Sequence, residues 1–233
     1  MTSMDRHKPL FCAALALLVS TTISAGQTLE QTLAKMDQAA SHFKALSAKV
    51  EYVQHMEAIH EDDGQSGTIL VKRAHPKELH VKISIDKPDP KVAVADGNKV
   101  VVYYPHSGEK QELALGHRRS LVDMILTLGF GGSSKELQDA YAVTLGGADT
   151  VAGESTTRLE LIPKSKDLLA QWRKIDLWIS DKTGNAVQQK FYERGKDYTL
   201  ITYSGLQQNP EIAESSFKLD VPKGTVTKPL NKK

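Results

Sequence analysis

The residues able to do chemistry are scattered through this chain. Histidines 55, 60, 75, 80, 106 and 117 lie on strand-like or turn-rich stretches, with no His-x-His pair and no two at i, i+4 beside a carboxylate. Metal binding needs side chains that converge on one ion, so no metal centre is expected. A serine nucleophile would need a Gly-x-Ser-x-Gly elbow or a positioned histidine and carboxylate, and neither pattern can be read. The glycines of "GFGGSSK" (129–135) resemble a phosphate cradle. They follow a helical stretch instead of a strand, however, and Glu136 stands where a magnesium-binding Ser or Thr would be required. They read better as a helix terminator, with glycine supplying positive φ and Phe130 packing back on the preceding turn. The expectation is a binding protein with no catalytic residues, no cofactor and no metal.

The elements around these residues are mostly strands. Leu79, Val81, Ile83 and Ile85 alternate with Glu78, His80, Lys82 and Ser84, which predicts one face for a core and one for water. Turn signals in "EDDGQSG", "KPDP", "ADGN", "PHSGE", "DKTGN" and "ERGKD" separate the apolar runs, predicting an antiparallel meander of about ten strands. Tyr103, Tyr104, Trp172, Trp178, Phe191, Tyr192, Tyr198 and Tyr203 fall on those strands, as core or cross-strand pairs. No helices recur between strands at the interval a parallel sheet requires, which disfavours nucleotide-binding α/β folds.

Two stretches are helical. Leu29, Leu33, Met36, Ala40 and Phe43 recur at three and four residues, and Thr28 with Gln31 has capping-box spacing. Between the two halves of the meander, Leu121, Val122, Met124, Ile125, Leu126 and Leu128 occupy nearly every side of a helix. Such a helix wants cover on more than one side. Ser134 opens a second short helix, "SKELQDA", with Glu136 and Asp139 outward.

The 233 residues suit a single domain, and 30 Lys plus Arg against 28 Asp plus Glu gives no basic excess for nucleic acid. Residues 1–25 read as a secretory signal peptide: a basic start, the apolar run "LFCAALALLV", then small residues before Gly26. Cys12 would leave with it, so the domain at 26–233 would hold no cysteine and no disulfide. A monomer is the default expectation.

In order and in residues, the chain resembles the periplasmic carriers of outer-membrane lipoproteins, the LolA or lipoprotein-sorting family. The resemblance runs through "SHFKALSAKVEYVQ", "GTILVKRAHPKELHVKI", "VADGNKVVVYYPHSGE" and "NPEIAESSFKLDVPKGTVT". It implies a mainly β (α+β) fold: a half-open antiparallel β-barrel of ten to eleven strands whose concave apolar face is covered by α-helices acting as a lid. It also implies a cavity for acyl chains of lipoproteins or other envelope lipids, lined by Leu29, Leu33, Met36, Phe43, Val81, Ile83, Leu121, Met124, Ile125 and Leu128. The implied partners are an inner-membrane lipoprotein-releasing ABC transporter and an outer-membrane acceptor. In the family an arginine on an early strand locks the lid through its backbone carbonyls, usually just before a proline. Arg73 matches by strand context, whereas anchoring on Pro76 would put His75 in that place. Related barrels that sense lipids are an alternative, and a lipid or glycan esterase a more distant one.

Overall fold

The computed structural model describes residues 27–75, 78–96, 99–114, 128, 130–193 and 195–229. The expected signal segment and Leu121, Met124 and Ile125 lie outside the described residues.

Helix α1 (Leu29–Ser41) starts where the capping box predicts: the Gln31 N–H donates to Thr28 Oγ1 at 3.2 Å, and the Thr28 N–H donates to Gln31 Oε1 at 3.0 Å. These two bonds satisfy backbone donors that the first turn leaves free. Thr32, Leu33, Met36 and Ala39 are buried and Leu29 is half-buried, so the stripe turns towards Ala39 instead of Ala40. The helix ends before Phe43, contrary to the expectation. Asn209 explains the stop: its Nδ2 donates to the His42 carbonyl at 2.8 Å and its Oδ1 accepts from the Lys44 N–H at 2.7 Å. Those backbone groups are thereby drawn out of the helical pattern, and Phe43 is placed, buried, on the link to the first strand.

Six strands follow: β1 (Ala45–Met56), β2 (Glu61–His75), β3 (Glu78–Lys87), β4 (Lys91–Asp96), β5 (Lys99–Tyr104) and β6 (Glu109–Ala114). After α2 (Ser134–Ala140) come β7 (Tyr141–Val151), β8 (Glu154–Pro163), α3 (Lys166–Gln171), β9 (Lys174–Ser180), β10 (Ala186–Tyr192) and β11 (Tyr198–Gln208). A 3-10 turn (Glu214–Phe217) and β12 (Val226–Pro229) end the described chain. All form one open sheet in the order β12-β6-β5-β4-β3-β2-β1-β11-β10-β9-β8-β7. Two meanders, β1 to β6 and β7 to β11, are joined side by side through the antiparallel pair β1–β11.

The sheet has twelve strands where ten or eleven were expected, the last being β12, which pairs parallel with β6. "EDDGQSG" is strand instead of turn. Because β1 continues to Met56, Glu61 to Gly67 pair with it residue by residue, and the reversal falls at 57–60 with His60 at φ 53°. Trp172 closes α3 instead of lying on a strand, its ring 5.2 Å from Phe191.

The alternation on β3 appears as predicted, but its polar face is not left to water. The C-terminal segment crosses it: Lys72 donates to the Ile212 carbonyl at 2.9 Å, Lys82 to the Ser216 carbonyl at 3.0 Å, and Phe217 meets the His80 ring edge-on at 5.8 Å. The ammonium heads of the two lysines thus hold carbonyls of this C-terminal strap.

Candidate functional site, an apolar face with an arginine clasp

Strand register assigns the inner face. Residues directly opposite in an antiparallel ladder share a face, so Leu46–Val71–Val81–Ala95 and Ala48–Ile69–Ile83–Ala93 form two inward rows across β1 to β4. On the other meander Leu159 and Leu177 stand opposite one another in a further row, which reaches β1 at Tyr52.

Two clusters fill this face. In the first, Leu33 and Met36 of α1, Leu128, and Leu137 of α2 pack on Leu159, Leu161, Ile175, Leu177, Ile179 and Phe191, with Leu29 at its margin. In the second, Phe43 and Phe130 pack on Leu46, Ala48, Val50, Ile69, Val71, Val81 and Tyr203, with Ile83 at its margin. Phe130 meets Tyr203 edge-on at 4.9 Å, so it packs on a distant strand; the turn before it lies outside the described residues. Leu128 and Phe130, two residues apart, therefore belong to different clusters. Of the expected cavity residues, the structure brings Leu33, Met36 and Leu128 together in one group and Phe43 and Val81 in the other.

Beyond Val81 the inner face stays apolar but is less filled. Leu79, Ile83, Ala93, Ala95, Val100 and Val102 are each half-buried. These six continue the core rows onto β3, β4 and β5 without a charged interruption.

Arg73 lies on this same inner face, two residues along β2 from Val71 and opposite Leu79. Its Nη2 donates to the Gly131 carbonyl at 3.2 Å, and its guanidinium stands 5.5 Å from the Phe43 ring centroid. Its backbone N–H is held by the Lys44 carbonyl at 2.8 Å. Gly131 adopts φ 76°, and a Cβ there would lie 2.8 Å from both Arg73 Nη2 and Phe43 Cδ1. Glycine is therefore needed at this point for backbone conformation and for close approach alike. The arginine is thus gripped between an aromatic ring and a carbonyl of the segment that carries Phe130. Open hollows of about 900 Å³, bordered by Lys72 and Asn209, and about 530 Å³, bordered by Phe43 and His75, flank it. His75 itself is exposed, beyond a bulge in the β2–β3 ladder.

The opposite side of the helical cover is pinned differently. Lys35 Nζ donates to the Asp181 carbonyl at 2.5 Å, while Asp37 accepts from the Ser134 N–H at 2.7 Å and from its hydroxyl at 2.6 Å. These bonds tie α1 to both the β9–β10 turn and α2.

Sequence reasoning missed Asn209, whose signal was the Asn-Pro dipeptide of "NPEI". It also missed Gly131 as the clasp's acceptor, which no local pattern marks.

An open sheet whose apolar inner face is capped by helices is the architecture of a binding fold. Residues 41–220 match the family described as outer membrane lipoprotein carrier protein LolA, and the chain belongs to that family. An outer-membrane lipoprotein carrier protein of Pseudomonas putida is 26% identical over 225 residues, 95% of this chain and 97% of that one. One of Cupriavidus necator is 28% identical over 138 residues, which are 59% of this chain and 60% of that relative's length. Among solved structures, an uncharacterized conserved protein from Thermus thermophilus has a TM-score of 0.55 at 12% identity, covering 88% of this chain and 100% of the other. MucB has a TM-score of 0.53 at 12% identity, over 82% and 62% of the two chains. Both show the fold.

Proposed function

We propose that this protein is a periplasmic carrier that shields the acyl chains of lipoproteins on their way from the inner to the outer membrane. The observation that carries the reading is the half-buried apolar strip of Leu79, Ile83, Ala93, Ala95, Val100 and Val102, which extends a closed core into a surface that can accept more apolar matter. Family membership supports it.

The cargo's physical chemistry requires such a surface. At about 0.8 kcal/mol per methylene, three chains of roughly 16 carbons would cost about 35–40 kcal/mol to expose to water. No covalent step is asked of the chain, and no helix among the described residues is long and apolar enough to cross a membrane. The donor in this reading is an inner-membrane ABC transporter that releases lipoproteins, and the receiver is an acceptor at the outer membrane. Arg73 is the lock: its bond to Gly131 closes the cover, and breaking that bond opens the route between the clusters.

The test is transfer of a fluorescent acylated peptide from the purified protein to acceptor vesicles. Wild type should bind the peptide, and Arg73→Leu should bind it but hand it over at a rate changed by about tenfold or more, as expected from losing a charge-assisted hydrogen bond. Absence of peptide binding by wild type overturns the carrier reading, and unchanged hand-over by the variant overturns the lock.

A further inference from the structure

The larger of the two hollows beside Arg73 has a wall that acyl chains do not account for. It lies at the rim of the sheet, where β1 begins at Ala45 and β2 nears its end, and it encloses about 900 Å³. Lys44, Lys72 and Arg73 border it together with Pro210, Ile212 and Ala213, and Glu211 is the only carboxylate among the described residues of that wall. Lys72 is partly engaged, since its ammonium donates to the Ile212 carbonyl at 2.9 Å and meets Glu214 at 2.5 Å. The Lys44 ammonium makes no hydrogen bond or ion pair among the described residues. Asn209 fixes the backbone beneath it, holding the His42 carbonyl and the N–H groups of Lys44 and Ala45.

An exposed lysine is content in water, and one alone would mean nothing. What matters is convergence, because like charges around one concavity repel one another and raise the local concentration of anions. The amide and ester heads of acyl chains are neutral and give this wall no counter-charge. Position supplies the second half of the argument. Arg73 stands opposite Leu79 on the inner face, and Leu79 belongs to the half-buried strip that continues through Ile83 and Ala95. A chain lying on that strip brings its head to the rim, among the cations.

We infer that the rim hollow binds the head of an anionic, phosphate-bearing lipid, so that the protein carries such a lipid as well as acylated protein. Ammonium groups act as point charges, and they accept the spread of oxygens on a phosphoryl group without demanding the planar geometry that a carboxylate offers. This inference rests on the carrier reading for the place of the chain and adds a site for the head.

The experiment titrates dodecyl phosphate and the neutral dodecyl glucoside, both below micelle-forming concentration, into wild type, Lys44→Gln and Lys44→Arg. Lys44 is exposed, so both variants should fold. Wild type should bind the phosphate probe about tenfold more tightly, the scale of one charge-assisted hydrogen bond, and the preference should shrink as salt rises. Lys44→Gln should lose most of that preference with the glucoside unchanged, and Lys44→Arg should keep it. Inorganic phosphate should compete only at far higher concentration, because it brings no chain. Inorganic phosphate bound as tightly as dodecyl phosphate would make the hollow a free-anion site and overturn the lipid head. Equal binding of the two probes by wild type, an undiminished preference in Lys44→Gln, or equal losses in both variants also overturns the inference. If the acylated peptide of the transfer assay still binds, the carrier reading stands; if neither probe nor that peptide binds, both fall.

Discussion

The two meanders of one sheet bury their inner faces to different degrees. On β8 and β9, Leu159, Leu161, Ile175 and Leu177 have 0% exposure beneath α1, Leu128 and α2, whereas Ile83, Ala93, Ala95, Val100 and Val102 on the other meander are only half-buried. Both faces are apolar, so hydrophobicity alone does not separate them. Packing does. A filled face gains dispersion contacts from every side and resists change, while a loosely filled one leaves room at small cost. The meander of β7 to β11 can anchor the fold, and the strip on β3 to β5 of the other can exchange what it covers.

The largest expected effect tests that division. Leu177→Ala should cost about 2–5 kcal/mol, the range for removing a fully buried leucine. Ile83→Ala should cost about 1 kcal/mol, near the centre of the mutational distribution. For an acylated probe the order should invert, Ile83→Ala weakening binding and Leu177→Ala leaving it unchanged. Urea unfolding and probe titration on both variants check this, and equal stability losses would erase the distinction between the halves.

The next effect compares the two sides of the helical cover. Gly184 adopts φ 73°, and a Cβ there would lie 2.4 Å from the backbone carbonyl oxygen of Lys35 in α1. Neither backbone can give way, so Gly184→Ala should cost about 2–3 kcal/mol and raise amide exchange along α1. Gly131 has a similar φ of 76°, but the obstructing atoms belong to the side chains of Arg73 and Phe43. Gly131→Ala should therefore cost about 1–2 kcal/mol, mostly the left-handed backbone penalty. A larger loss at Gly131 would mean that the clasp, and not the α1 anchor, is the fixed side.

Much of this architecture can be read along the chain because it rests on local rules. The capping box of α1, the alternation on β3 and the start of α2 at Ser134 depend on residues within a few positions of one another. What escaped depends on distant partners. Asn209 ends α1 from 167 residues away, and the strap reaches Lys72 and Lys82 from 140 and 134 residues away. "EDDGQSG" looked like a turn because its residues favour one, yet twelve paired positions with β1 outweigh that preference. Arg73 was legible as a candidate lock only through family resemblance, and only the fold reveals its bond to Gly131.

The smallest effect concerns the seam between the halves, because β1 pairs with β2 on one side and with β11 on the other. At its far end His55 stacks on Tyr198 of β11 at 4.7 Å, while its Nδ1 lies 2.7 Å from Asp62 of β2 and its Nε2 3.3 Å from Glu57. Hydrogen bonds to Asp62 and then Glu57 raise its pKa above the ordinary imidazole value. Protonated His55 therefore ties β2 to the seam. A raised pKa means that this contribution is complete below the unfolded histidine's value of about 6.5 and is lost as pH climbs through the higher folded value. Amide exchange in Asp62, Asp63 and Gly64 should accordingly quicken between pH 6 and pH 8 beyond the intrinsic base-catalysed rise, and His55→Gln should remove that excess. The buried amides of Leu159 and Leu177 should show no such excess, because no titrating group holds them. A uniform response across both meanders would show that His55 acts on the whole sheet and not on its seam.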